Sequence, residues 1–166
     1  VLDFIEENGD RDGDIIIKSD QENAIQYLVG EVIDARPDGK TYPEESPKKS
    51  SGSNGVAERA AEEIEGLSRR LFLALQERLG RKIDARERIV AFIPAYAAYL
   101  FNRLARGDDG KVPYERTKGK KPSVMGVEFG EKLLYMPLRG PKKESINARW
   151  AFGLFVGVRW KSGEFM

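Results

Sequence analysis

Apolar residues in this chain repeat at two different spacings. In Val1–Asn8 the residues Leu2, Phe4 and Ile5 fall on one helical face, and Asn8-Gly9 supplies a stop. Asp10–Asp14 is a turn. The next run, DIIIKSD (14–20), packs β-branched residues together and then turns polar. It is too short for a helix and predicts a buried strand, compatible with a parallel sheet. Residues 21–35 return to helical spacing through Ala24, Ile25, Leu28, Val29 and Val32, although Gly30 weakens that helix by about 1 kcal/mol relative to Ala. Pro37-Asp38-Gly39 ends it. KTYPEES (40–46) predicts one short strand, and PKKSSGS (47–53) a loop with nothing in it that packs.

A long helix follows, from about Asn54 to Leu79. Val56, Ala60, Ile64, Leu67, Leu71, Leu75 and Leu79 step by three or four along it, and Gly80 closes it. Asp84-x-x-Glu87 resembles a capping box. It introduces a second helical stripe through Ile89, Phe92, Ile93, Tyr96, Leu100, Phe101 and Leu104. Pro94 falls inside that stripe and must kink the helix or shift its start. Gly107-Asp108-Asp109-Gly110 ends it. Beyond residue 122 the pattern loosens into alternation, and VEFGEKLLYMP (127–137) and RWAFGLFVGVRW (149–160) predict strands. The order β-α-β-α-α followed by short strands predicts an α/β domain with a small β-rich module.

Composition narrows the chemistry more than the fold. Hydrophobic residues make up 40% of the 166 residues and charged residues 33%, enough for a core and too much charge for a membrane protein. No run of about 18 apolar residues exists, so no spanning helix is expected. The start, VLDFIEENGD, is acidic where a signal peptide would be basic. The chain contains neither cysteine nor histidine. Disulfides, Cys/His zinc sites, Ser-His-Asp triads and Cys-His dyads are thereby excluded within it. What remains is carboxylate, Lys, Tyr and Ser chemistry, and oxygen ligands favour Mg²⁺ or Mn²⁺ over zinc.

Net charge is +1, but it is unevenly spread. KVPYERTKGKKP (111–122) carries Lys111, Arg116, Lys118, Lys120 and Lys121 against Glu115, and LRGPKK (138–143) adds three more cations. The first 34 residues are acidic. Such segregation suits a nucleic-acid face and equally suits a solvated linker. Two carboxylates stand at element junctions. Asp20 follows a strand and precedes a helix, where ligands bind in open α/β sheets. It can also be read as a helix N-cap, with Asn23 three residues on. Glu58 lies in the first turn of the long helix, where a favourable interaction with the helix dipole is the plainer role. Glu44 and Glu45 compete with it as ligands at the end of the second strand.

Two stretches taken together give these residues a context. IIIKSDQENAI and ESPKKSSGSNGVAERAAEEIEGL resemble the catalytic core of retroviral-type integrases, and within them the integrases of copia-type retrotransposons. In that family a strand delivers an Asp, and after a loop an N-G-V-A-E-R helix delivers a Glu. Here those positions are Asp20 and Asn54-Gly55-Val56-Ala57-Glu58-Arg59, separated by residues 21–57, which is 37 positions and close to the family's spacing. YLFNRLARGDDGKVPYERTKGKKP is similar to the segment after the core, with Asn102, Arg103, Pro113, Tyr114, Glu115 and Gly119 matching and Val112 standing where Thr is commoner. FGEKLLYMP and RWAFGLFVGV match the region beyond it.

The resemblance covers nearly the whole chain and implies a partial ribonuclease-H-like core over 1–108, a basic linker over 109–126 and the start of a small β module over 127–166. It implies metal-dependent 3′-end processing and strand transfer, in which a DNA 3′-hydroxyl attacks a phosphodiester of target DNA. Asp20 and Glu58 would be catalytic and hold Mg²⁺ or Mn²⁺. Lys48, Lys49, Ser53, Asn54, Gly55 and Arg59, with Lys111, Arg116, Lys118, Lys120 and Lys121, would contact DNA. A homo-oligomer in the nucleus of the host cell is implied, with no zinc and no membrane. The family's triad has a further Asp on an earlier strand; Asp3, Asp10, Asp12 and Asp14 lie too near Asp20 to be that residue. The chain also begins in mid-pattern, at Val1. It therefore reads as a piece of a longer protein, inactive alone. After Asp20, Gln21-Glu22-Asn23 replaces the commoner Asn-Gly-Gly. The alternative reading is a non-catalytic DNA-binding or assembly scaffold from a decayed or domesticated element.

Overall fold

The computed structural model describes residues 1–46, 55–124, 126–137, 149–159 and 162–166. It is a mixed α/β chain. The elements run α1 (Leu2–Glu7), β1 (Ile15–Ser19), α2 (Asn23–Asp34), β2 (Thr41–Glu45), α3 (Gly55–Leu79), a 3₁₀ turn (Arg88–Phe92), α4 (Ile93–Leu104), α5 (Pro113–Lys118), β3 (Lys132–Tyr135) and β4 (Ala151–Leu154). This follows the order that the hydrophobic spacing predicts, with two differences at helix starts. Pro94 does not kink a helix. It lies in the first turn of α4, where its missing N–H costs nothing, and the residues before it form the 3₁₀ turn. α5 is a short helix in the basic stretch that the spacing does not foretell. No helix among the described residues is long and apolar enough to cross a membrane.

The chain divides into two compact units, Val1–Glu62 and Glu63–Met166. In the first, β1 and β2 pair in parallel, from Ile15 opposite Thr41 to Ser19 opposite Glu45, and α2 is the crossover between them. The strands differ in character. β2 reads TYPEE, with Pro43 opposite Ile17 and Glu44 beside it. Proline cannot donate to a ladder and charges guard an exposed rim, so β2 is built as an edge strand. β1 reads IIIKS and is built for the interior of a sheet, yet among the described residues β2 is its only partner and Ile16 is 68% exposed. Val29 and Val32 are the buried face of α2.

The second unit holds the larger core. Leu75 of α3 and Ile93, Tyr96 and Tyr99 of α4 pack with Ile83, Phe129, Phe155 and Val158, and Leu71, Leu79 and Leu133 border them. Tyr96 is central: its ring stacks on Tyr99 and Phe129 and meets Phe155 edge-on at 5.5 Å. Its hydroxyl donates to the Val127 carbonyl oxygen at 3.2 Å. Burial, and then the neighbouring Tyr99, pushes the Tyr96 phenol up. β3 and β4 form an antiparallel ribbon, with Leu134 opposite Phe152. Its inner face brings Leu133 onto the core, while Leu134, Phe152 and Leu154 on the outer face are exposed.

Candidate functional site

The C-terminal edge of the parallel pair is where the crossover topology leaves backbone ends and polar side chains together. Asp20 is the first residue after β1 and is exposed. Its plainer role as a helix cap is not realised. The N-cap of α2 is Glu22, whose own side chain makes no capping bond. Around Asp20 the edge is ordered by hydrogen bonds that extend the ladder past the strands. The Ser46 amide donates to the Ser19 carbonyl oxygen at 3.0 Å, and the Gln21 side-chain amide donates to the Ser46 carbonyl oxygen at 3.3 Å. Ser46 itself is buried, and its hydroxyl has no partner among the described residues. A buried hydroxyl without a partner costs roughly 1–3 kcal/mol.

The competing acids have partners across the strand pair and on α2. Glu44 pairs with Lys18 at 3.0 Å, across the strands, and Glu45 accepts a hydrogen bond from the Gln26 side chain at 3.2 Å. Glu58 is the fourth residue of α3 and is exposed, as are Val56 and Arg59 on the same first turns; Val56 is 90% exposed. A large apolar side chain so displayed at a helix start gains nothing from folding of this turn alone. Gly55 opens α3. Lys48, Lys49, Ser53 and Asn54 lie outside the described residues. Among the described residues no three acidic side chains converge in a metal-holding group. The donor set offered by Asp20 and Glu58 is two hard carboxylates, which suits Mg²⁺ or Mn²⁺ that keep several waters, and is too few in number to enclose an ion.

The basic stretch lies in the second unit, on and around α5. Lys111, Lys118, Lys120 and Lys121 are exposed. Arg116 is not a spare cation. Its guanidinium forks onto Asp109, with Nε to Oδ2 at 3.2 Å and Nη2 to Oδ1 at 2.6 Å. That fork, together with the Lys111 amide donating to Oδ1 at 3.1 Å, holds the Asp109 carboxyl down at about 2. Any phosphate bound by Arg116 therefore competes with Asp109 in place. Glu115 closes the start of α5 by accepting from the Val112 amide at 3.0 Å. Arg103 lies over the Tyr99 ring at 3.9 Å and the Tyr114 ring at 4.8 Å, fastening α5 to α4.

The residue whose importance the spacing did not foretell is Arg36. It is buried at 6% exposure in the turn between α2 and β2, where a charged residue is expected at the surface. The only trace of it in the sequence is the adjacent Pro37-Asp38-Gly39, a turn signal that shows where the chain bends but not what it bends around. No family model, no curated protein and no solved structure matches the chain.

Proposed function

We propose that this chain is part of a DNA-joining integrase of the retroviral type, similar to those of copia-type retrotransposons, with a ribonuclease-H-like core. The observation that carries the reading is Asp20: an exposed carboxylate at the C-terminal end of a parallel strand, in the stretch between β1 and the start of α2. Glu58 in the first turn of α3 would join it as a ligand of Mg²⁺ or Mn²⁺, with a third carboxylate supplied from outside these 166 residues. The open edge of β1 is where the rest of such a sheet would continue.

In this reading a DNA 3′-hydroxyl attacks a phosphodiester of the target in line; one P–O bond forms as another breaks, and the leaving 3′-oxygen takes the proton released by the attacker. The metal ions, when bound, lower the pKa of the attacking hydroxyl and stabilise the leaving oxyanion. The protein's part is placement. Asp20 and Glu58 hold oxygen ligands at fixed positions, and the α3 N-terminus offers its free N–H groups to a DNA phosphate. The cations Lys111, Lys118, Lys120 and Lys121 neutralise backbone phosphates, so DNA binding falls steeply with salt. A nuclear site of action and a homo-oligomer belong to the same reading.

The test has two parts. The 166 residues alone should bind duplex DNA without joining it. Fused to a segment that restores the third carboxylate, they should join a 3′-hydroxyl end to a target duplex in Mg²⁺ or Mn²⁺. Asp20→Asn and Glu58→Gln should each abolish joining while DNA binding stays within about threefold, because neither removes a phosphate contact. Normal joining by both variants would defeat the assignment of the site. Binding with no joining by any extended protein would favour the scaffold reading instead.

A further inference from the structure

A parallel pair of five-residue strands has few hydrogen bonds with which to hold its register. A one-residue slip would send every side chain of β1 to the opposite face. Arg36 acts on this weakness. Its Nη2 donates to the carbonyl oxygens of Asp10 at 2.7 Å, Arg11 at 3.2 Å and Gly13 at 2.6 Å, while Nη1 donates to the hydroxyl of Thr41. Thr41 is the first residue of β2, and Gly13 lies two residues before the start of β1. One guanidinium therefore holds the entry of both strands. Next to it the Ile15 amide donates to the Lys40 carbonyl oxygen at 2.9 Å, and the Lys40 amide donates to Asp14 Oδ1 at 3.2 Å.

The surroundings are shaped for this contact. A Cβ on Gly39 would lie 2.8 Å from Arg36 Nη2 and 2.8 Å from the Gly13 carbonyl oxygen, so only glycine lets the guanidinium reach the turn. A planar fork with donors in fixed directions can serve several carbonyls at once, which a lysine ammonium cannot do in the same geometry. Burying a charge this deeply is costly unless it is hydrogen-bonded, and here four acceptors offset that cost while Nε is left without a partner.

We infer that Arg36 is a positioning residue: its clamp at the entry of β1 and β2 fixes the register that delivers Asp20 to the far edge, about 16 Å away along the strand. The functional consequence rests on the reading of Asp20 as a metal ligand, but the register can be measured without it.

Amide hydrogen exchange of the 166-residue chain tests the clamp at both ends of the strands. Ile15 N–H reports the entry, and Ser46 N–H, bonded to the Ser19 carbonyl oxygen at 3.0 Å, reports the exit. Arg36→Lys and Gly39→Ala should each speed exchange at both amides by about tenfold, leaving α2 and the second unit unchanged, and Thr41→Val should do so to a smaller extent. Faster exchange at Ile15 alone, with Ser46 unaffected, would reduce Arg36 to a local staple and overturn the inference. Loss of protection throughout α2 would overturn it too, since Arg36 would then support the whole unit and not the register. Adding Mn²⁺ to the same samples separates the two claims. Paramagnetic broadening at Asp20 should be present in the unaltered chain and weaker in Arg36→Lys. Its absence even from the unaltered chain fused to a segment that restores the third carboxylate would count against the metal reading, while the exchange rates still decide the clamp.

Discussion

At the scale of single residues, the well-defined electrostatic features are two surface forks. Arg81 meets Glu87 through a pair of 2.7 Å hydrogen bonds and holds its carboxyl down at about 2 from an ordinary 4.5. Arg116 does the same to Asp109, from 3.8 to about 2. A carboxyl whose pKa is lower folded than unfolded binds its proton more weakly in the native state. Both forks therefore stabilise the fold fully above about pH 4.5, and that contribution is lost as pH falls towards 2. Carboxyl ¹³C titration should give midpoints near 2 for both residues, and Arg81→Ala should return Glu87 towards 4.5 without moving Asp109. Ordinary midpoints in the unaltered chain would show that the forks do not persist in solution. These residues also show how far spacing can be read. Asp84-x-x-Glu87 forms only half of the expected box and opens no helix: the Asp84 amide donates to Glu87 at 3.1 Å, but the Asp84 side chain accepts from the Arg86 amide at 2.8 Å, and Glu87 itself is the N-cap of the 3₁₀ turn. That Arg81 would reach into it follows only from the turn at Gly80–Asp84. Gly130 is a comparable case. At φ 77° it passes so close to Leu75 that a Cβ would overlap the Leu75 side chain, and no local pattern names that neighbour.

Elements follow from local sequence wherever a stripe and its stop signals agree. β1, α2, β2, α3 and α4 lie where period and breakers put them, because each is set by contacts within a few residues. The start of α4 is the instructive case, since a proline in an apolar stripe allows either a kink or a boundary. The structure takes the boundary: the stripe from Ile89 to Phe92 winds as a 3₁₀ turn and the α-helix opens at Ile93. At that place Pro94 favours the helix by fixing φ and by restricting the unfolded chain. Pro94→Ala should therefore lower stability in urea by up to about 1 kcal/mol. A gain in stability would place the proline in a helix interior, where it costs about 3 kcal/mol.

For the whole molecule, the decisive fact is which faces meet. β3 and β4 are short, and a two-stranded ribbon is marginal by itself. It persists because one face lies on the core formed by α3 and α4. Phe152 and Phe155 are three residues apart and equally apolar, but Phe152 is 65% exposed and Phe155 4%. Phe155→Ala should cost about 3–5 kcal/mol of stability. Phe152→Ala loses only the Lys132 ammonium resting 4.1 Å over its ring, worth about 0.5–1 kcal/mol at an exposed site. Equal losses in thermal unfolding would show that the outer face of the ribbon is covered in solution.

Local sequence sufficed for the order of β1, α2, β2, α3 and α4, for the absence of thiol and imidazole chemistry within the chain, and for the two acids worth testing. Periodicity, stop signals and composition are local properties and need no knowledge of partners in space. Tertiary contacts, by contrast, make Glu22 and not Asp20 the N-cap of α2, tie Arg116 to Asp109, and bury Arg36 as the clamp of two strand entries. Each of those depends on a contact between residues far apart along the chain or on a choice among several side chains that could fill the same local role. Glu58 stands between the two cases. Its place on the first turn of α3 was legible from NGVAER. Its action with Asp20 depends on a contact across space, and loss of metal binding in both Asp20→Asn and Glu58→Gln is the outcome expected of a shared site.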